Sequence, residues 1–402
     1  MLKSDINKVV EIQRETFRKR QAGLSRTALE GLPELHAHAL IISGVRRCGK
    51  STLQFQLLRE KYKKALYLNF EDPRLYEFEK IDLLRLDEII LESKSKVLFF
   101  DEIQIVDEWE RYIRQKLDEG FKVVVTGSNA SLLSKELGTK LTGRHISKEL
   151  FPFSFKEFCS FKKKNPSENM VLQYLKTGGF PEYVKREDDD ILKYLLDDIL
   201  VRDIAVRYGV RDIRSLKRLA LYLISNVGNL ITANKLKTRF DISATSTLTT
   251  YLSHLEYAYL MFFVPKFSYS IKKQIGNPRK VYAIDTGLVN VNTISFTEDK
   301  GRKFENLIFL HLRRMYVDIF YFSEKGECDF VVFERETIRE VVQVCYDLNR
   351  DNMKRELSGL FEALDFFNLK EGTIVTRNQS DRFEENGRIA NVVPSHEFLM
   401  TK

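Results

Sequence analysis

Residues Gly44 to Thr52, GVRRCGKST, follow the apolar run HALIIS and lead into a stretch of helical periodicity beginning at Leu53. No other feature constrains the chain as tightly. Gly44 to Ser51 fits the spacing G-x-x-x-x-G-K-[ST]. Glycines at both ends let the backbone curl with its N–H groups turned inward, and the positive end of the next helix points to the same place. Such a loop suits a phosphate group, so ATP with Mg²⁺ is the expected ligand pair. The candidate nucleotide-binding positions are Gly44, Arg47, Cys48, Gly49, Lys50, Ser51 and Thr52. Lys50 would reach the β- and γ-phosphates, Ser51 would offer its hydroxyl to the metal, and Thr52 would lie near the α-phosphate. A chance glycine turn is the bland alternative, and the strand before and helix after it count against it.

Further apolar runs, ALYLNF (65–70), VLFF (97–100) and VVVTG (123–127), alternate with helical stretches such as Leu53–Tyr62 and Glu108–Leu117. Fully apolar strands alternating with helices imply a parallel sheet covered on both faces, hence an α/β fold of the P-loop NTPase kind. The second run ends in Asp101-Glu102, where Asp101 would hold Mg²⁺, commonly through its water, and Glu102 would polarise the attacking water. The third ends in Gly127-Ser128-Asn129. A small polar residue there can touch both γ-phosphate and water, and the Asn129 amide, which donates and accepts, is preferred over Ser128. Arg144, in LTGR, is a candidate arginine finger, acting in its own chain or on a neighbouring subunit; the alternative is an ion pair on the sheet edge.

At 402 residues the chain is too long for one core. Five segments are expected: an N-terminal helical segment (1–35), the P-loop core (36–152), a helical lid-like subdomain (153–205) broken near Gly178-Gly179 and Pro181, a winged helix-turn-helix (206–270), and an α/β terminal domain (271–402). Ser243 is the expected N-cap of the third winged-helix helix. No apolar run is long enough to span a membrane, the four cysteines show no metal-ligand spacing, and one of them lies in the phosphate loop, which argues against a disulfide framework, so a cytoplasmic protein is expected. Nine Lys and Arg stand against three acids between residues 206 and 271, carrying most of the net charge of +8. That excess permits DNA as a partner without requiring it. The third helix offers Ser243, Thr245, Ser246, Thr249 and Thr250, hydroxyls suited to phosphate contact rather than base reading.

Together GVRRCGKST, NFEDPRL (69–75), FFDEIQIVDEW (99–109), TGSNASLL, the LTGR–FPFSFKEF block, GGFPEYV (178–184), FENLIFLHL (304–312), GECDFVV (326–332) and VVQVCYDL (341–348) give the chain its family likeness. It resembles an archaeal and bacterial ATP-binding family that joins an AAA-type core to a C-terminal nuclease-like domain and is related to the archaeal STAND ATPases. The resemblance covers nearly the whole chain. It implies ATP hydrolysis, a winged-helix segment and a restriction-endonuclease-like terminal fold. In such a fold Glu305 and Asp329 match the first two acids, while Gln343-Val344-Cys345 stands where active members have E-x-K. Cys345 removes the cation; Lys354 or Arg355 on the following helix could replace it, though nothing in the spacing demands it. A degenerate or binding domain is therefore favoured over an active nuclease. Partners consistent with this reading are DNA, through residues 206–270 and the terminal domain, a protein gated by nucleotide state, or further copies of the chain.

Overall fold

The computed structural model describes residues 1–19, 21–130, 141, 143–240, 242, 244–293 and 299–401. The chain divides into two compact units, Met1–Leu150 and Phe151–Lys402.

The first unit opens with α1 (Lys3–Lys19). Ile6, Val9, Val10, Gln13 and Phe17 recur at helical spacing and are buried, while Lys, Glu and Arg take the opposite face. Burying each apolar member of that stripe contributes on the order of 1.5–3 kcal/mol. Then come β1 (Ala39–Ser43), α2 (Lys50–Lys61), β2 (Leu66–Asn69), α3 (Asp82–Ser93), β3 (Val97–Asp101), α4 (Trp109–Asp118), β4 (Lys122–Gly127) and β5 (His145–Glu149). All five strands are parallel, in the order β2-β3-β4-β1-β5. The fold class is thus the mixed α/β, parallel-sheet architecture of a P-loop NTPase. Of the described residues in the N-terminal segment, Lys3–Lys19 are α-helical. Residues 21–35 run irregularly over the start of α2 and beyond, with one 3₁₀ turn at Thr27–Leu29.

The second unit begins with helices Phe155–Lys162, Glu168–Thr177, Pro181–Arg186 and Asp189–Asp198, the last running on as a π-helix, Ile199–Val206. The break at Gly178-Gly179 has a physical cause. Gly178 caps the helix before it at φ +70°, and a Cβ there would lie 2.1 Å from an oxygen of Asp285. The Asp285 carboxylate accepts from the Gly179 N–H (2.6 Å) and the Leu288 N–H (2.9 Å). Burial still pushes its pKa up to about 6.

Helices Ile213–Ile224, Ala233–Phe240 and Thr245–Tyr257 follow, interleaved with β6 (Leu230–Ile231), β7 (Met261–Pro265) and β8 (Arg279–Ala283). These strands form an antiparallel sheet in the order β6-β8-β7. Residues 279–283 fall within the expected terminal domain, but as β8 they pair along their length with β7, so this module extends to about residue 283 rather than 270. Ser243 lies outside the described residues; the third helix starts at Thr245, with Ala244 as N-cap.

The rest is a six-stranded mixed sheet, β13-β14-β12-β11-β10-β9, built from β9 (Asp318–Ser323), β10 (Glu327–Glu334), β11 (Thr337–Val344), β12 (Glu371–Thr376), β13 (Asp381–Glu385) and β14 (Arg388–Pro394). Helix Met353–Phe366 packs on one face of it, and helix Lys300–Met315 contacts both β8 and β11.

Candidate nucleotide site

The loop Gly44–Gly49 joins β1 to α2 at the C-terminal ends of the parallel strands, where open α/β sheets place their ligands. Gly44 is needed for close approach: a Cβ there would stand 2.1 Å from the Leu150 carbonyl oxygen. Gly49 sits at φ +105° and starts α2. Arg47 takes a left-handed conformation within the loop, and Cys48 is fully buried, its thiol pushed up by burial. Lys50, 4% exposed, donates to the carbonyl oxygens of Gly44 (3.0 Å) and Val45 (3.3 Å) and stands 3.5 Å from Glu102.

Strand order explains what meets Lys50. Because β4 lies between β1 and β3, the acids at the end of β3 face the loop beside residues of β4. Asp101 is fully buried; Tyr67 Oη donates to it at 2.9 Å, and the Thr126 and Ser51 hydroxyls also bond its carboxylate. Burial, then the charge of Glu102, raise its pKa against those hydrogen bonds. At Glu102 burial pulls the same way, but the Lys50 ammonium, Gln104 and Arg46 outweigh it and the pKa falls. Gln104 Nε2 donates to Glu102 Oε2 at 2.5 Å, and the Glu102 N–H donates to Thr126 Oγ1 at 3.1 Å. Ser51 and Asp101 thus offer two hard oxygen donors side by side, a set that fits Mg²⁺.

Thr126 and Tyr67 escaped the sequence reading. Neither belongs to a contiguous motif; strand register brings them to Asp101. Ser128 and Asn129, just beyond β4, are both 1% exposed. Arg144 lies elsewhere. Its carbonyl accepts from Ala39 N–H at the start of β1, so the length of that strand, roughly 15 Å, separates it from the loop. Its guanidinium pairs with Asp118 at the end of α4. Within its own chain Arg144 is therefore the sheet-edge ion pair, not a finger on its own phosphates.

In the second unit Glu305, Asp329 and Gln343 do come together. Asp329 Oδ2 accepts from the Val344 N–H (2.9 Å), and Gln343 Oε1 accepts from the Asp329 N–H (3.1 Å) while its amide donates to Glu356 (2.6 Å). The cation comes from neither local candidate: Lys354 is exposed, and Arg355 pairs with Glu356. It is Lys280 of β8, 4% exposed at its side chain, within 2.6 Å of Asp329, 2.7 Å of Glu327 and 3.2 Å of Glu305. Tyr282 Oη donates to Glu305 at 2.6 Å. Burial and then Asp329 push Glu305 up to about 7 despite Lys280 and Tyr282. Among the described residues no set of three or more His, Cys, Asp and Glu is arranged as a ready metal cage; Lys280 occupies the middle of this one. Nor is any described helix long and apolar enough to cross a membrane.

Comparison with known proteins agrees with the loop and the sheet. Residues 36–159 match an AAA domain family, and residues 168–299 match a domain of unknown function (DUF8612). Uncharacterized protein MJ1544 of Methanocaldococcus jannaschii is 37% identical over 396 residues, covering 90% of this chain and 88% of its own. An uncharacterized protein of Haemophilus influenzae is 33% identical over 334 residues, covering 77% and 82%. Among solved structures, that of C. elegans PCH-2 is similar over 62% of this chain and 68% of its own, at 16% identity and a TM-score of 0.24, too low to carry an argument about fold. With such identity over most of both chains, this protein belongs to one family with these archaeal and bacterial proteins, and its P-loop lies in an AAA domain.

Proposed function

We propose that the chain hydrolyses Mg·ATP as a molecular switch that acts on DNA. The observation that carries the reading is the convergence of Lys50, Ser51, Asp101, Glu102 and Thr126 at the C-terminal ends of three adjacent parallel strands. Lys50 would bind the β- and γ-phosphates, leaving the loop carbonyls it now contacts. Mg²⁺, held by Ser51 and Asp101, would neutralise charge on the phosphate oxygens. Glu102, fixed by Gln104 and by Thr126 at its backbone, would orient the attacking water and take its proton; Asn129 would hold the same water from β4.

DNA is the favoured target because of the module 206–283. Three helices with an antiparallel β6-β8-β7 sheet support a winged helix-turn-helix. Thr245, Ser246, Thr249 and Thr250 are exposed on its third helix, as are Lys235 and Arg239 on the second and Lys272 and Lys273 between β7 and β8. Duplex DNA is expected to raise the Mg-dependent ATPase rate several-fold, and added salt to abolish the gain, as phosphate contacts require. A rate indifferent to duplex, single-stranded and branched DNA, with no salt-sensitive binding, would replace DNA by a protein partner gated by nucleotide.

Lys280 favours a second reading, an ATP-controlled nuclease in the terminal domain. It restores to Glu305 and Asp329 the ammonium that Cys345 fails to supply. Cleavage of DNA with Mg²⁺ or Mn²⁺, lost in both Asp329→Ala and Lys280→Met, is the outcome this reading requires. A parent chain that leaves DNA intact would reduce the cluster to a structural ion network. In either case Lys280→Met should cost about 3–5 kcal/mol of stability, because it leaves buried carboxylates unpaired; a chemical-denaturation curve reads this directly.

A further inference from the structure

A buried arginine outside every motif touches the phosphate loop. Arg26 is 3% exposed, and its Nη1 donates to the Cys48 carbonyl oxygen at 2.7 Å. The Gln56 side chain ties the segment that carries Arg26 to α2. Gln56, 2% exposed, accepts from the Arg26 N–H (3.1 Å) and donates to the carbonyl oxygens of Ala22 (2.9 Å) and Leu24 (2.7 Å). Residues 22–26 thus form a strap across the start of α2, with its anchor beside the loop.

Peptide geometry gives the contact a consequence. The Cys48 carbonyl and the Gly49 N–H belong to one planar trans peptide and point in opposite directions. A guanidinium that holds the carbonyl to one side therefore holds the N–H to the other. A Cβ on Gly49 would stand 2.8 Å from Arg26 Nη1, so this glycine leaves room for the arginine as well as meeting its own φ of +105°. An Arg can do this where a Lys cannot, since its fork is planar and keeps direction.

Resting on the nucleotide reading above, we propose that Arg26 is a positioning residue that fixes the Cys48–Gly49 peptide plane, so that the Gly49 N–H is preset for a phosphate oxygen and the strap 22–26 governs nucleotide affinity. It touches the loop, not the reacting atoms, so its loss should appear in binding before chemistry. In Arg26→Ala the Kd and KM for Mg·ATP should rise about ten- to a hundred-fold, the range for a hydrogen bond to a charged group. By contrast, kcat should fall by less than about threefold. Free guanidinium ion at sub-denaturing concentration should restore much of the affinity in this variant, and none in Lys50→Ala. Arg26→Lys, which retains charge and most of the volume, guards against misfolding of the alanine variant and should still bind more weakly than the parent. Parent-like affinity in either folded variant overturns the proposal, as does an affinity loss that guanidinium fails to mend. A parent chain that binds no Mg·ATP overturns the nucleotide reading itself; parent binding with an unaffected arginine variant overturns this inference alone.

Discussion

Glu102→Gln is expected to hold ATP without hydrolysing it. The substitution keeps the length of the side chain and leaves the backbone, at φ +51° with its N–H on Thr126 Oγ1, unchanged. It removes the carboxylate charge beside Lys50 and with it the capacity to take a proton from water. A positioned base contributes about 10²–10⁴-fold, so kcat should fall by that factor. Affinity for Mg·ATP should stay within a few-fold, because Lys50, Ser51 and Asp101 are intact. Single-turnover phosphate release beside nucleotide retention on the isolated protein separates the two quantities. Normal turnover in this variant would remove Glu102 from the role of base.

Lys50→Ala should act one step earlier. The side chain is 4% exposed, and its ammonium sits within the loop on the carbonyls of Gly44 and Val45, which it exchanges for phosphate oxygens when nucleotide arrives. Without it the loop amides remain, but the charge beside the β- and γ-phosphates is gone. Truncating one partner of a buried, hydrogen-bonded charge pair typically costs about 10²–10³ in affinity. Binding of Mg·ATP by titration calorimetry should weaken by about that factor, and hydrolysis should fall below detection. The variant should still fold, which a melting curve checks, since the apolar core of the sheet does not involve this side chain. Undiminished hydrolysis would sink the assignment of the loop.

What could be read from the sequence was what lies contiguous along it. GVRRCGKST and Asp101-Glu102 declare themselves because loop and acid pair are each one local segment, and the all-apolar strands announce a sheet covered on both faces. Thr126 and Tyr67 were hidden because only the neighbouring strands bring them to Asp101. Arg26 and Lys280 were hidden for the same reason at longer range: their partners lie 22 residues away, at Cys48, and 49 away, at Asp329. For Arg144 the sequence leaves finger and ion pair open, because a lone arginine after a polar stretch does not reveal which end of the sheet it occupies. The β7–β8 pairing is not legible because residues 266–278 separate the two strands, and β13 gives no signal because its residues are mostly exposed, with no apolar alternation.

The cross-chain reach of Lys280 bears on how this protein could be taken apart or recombined. A cut near residue 270 would split an antiparallel pair and leave β7 without the strand that pairs with it. Carrying the last 120 residues onto another ATPase would be worse, because Glu305, Glu327 and Asp329 would travel without their ammonium. The smallest transplantable piece of this half must therefore begin before β6, and any natural exchange of terminal modules among relatives must respect the same seam.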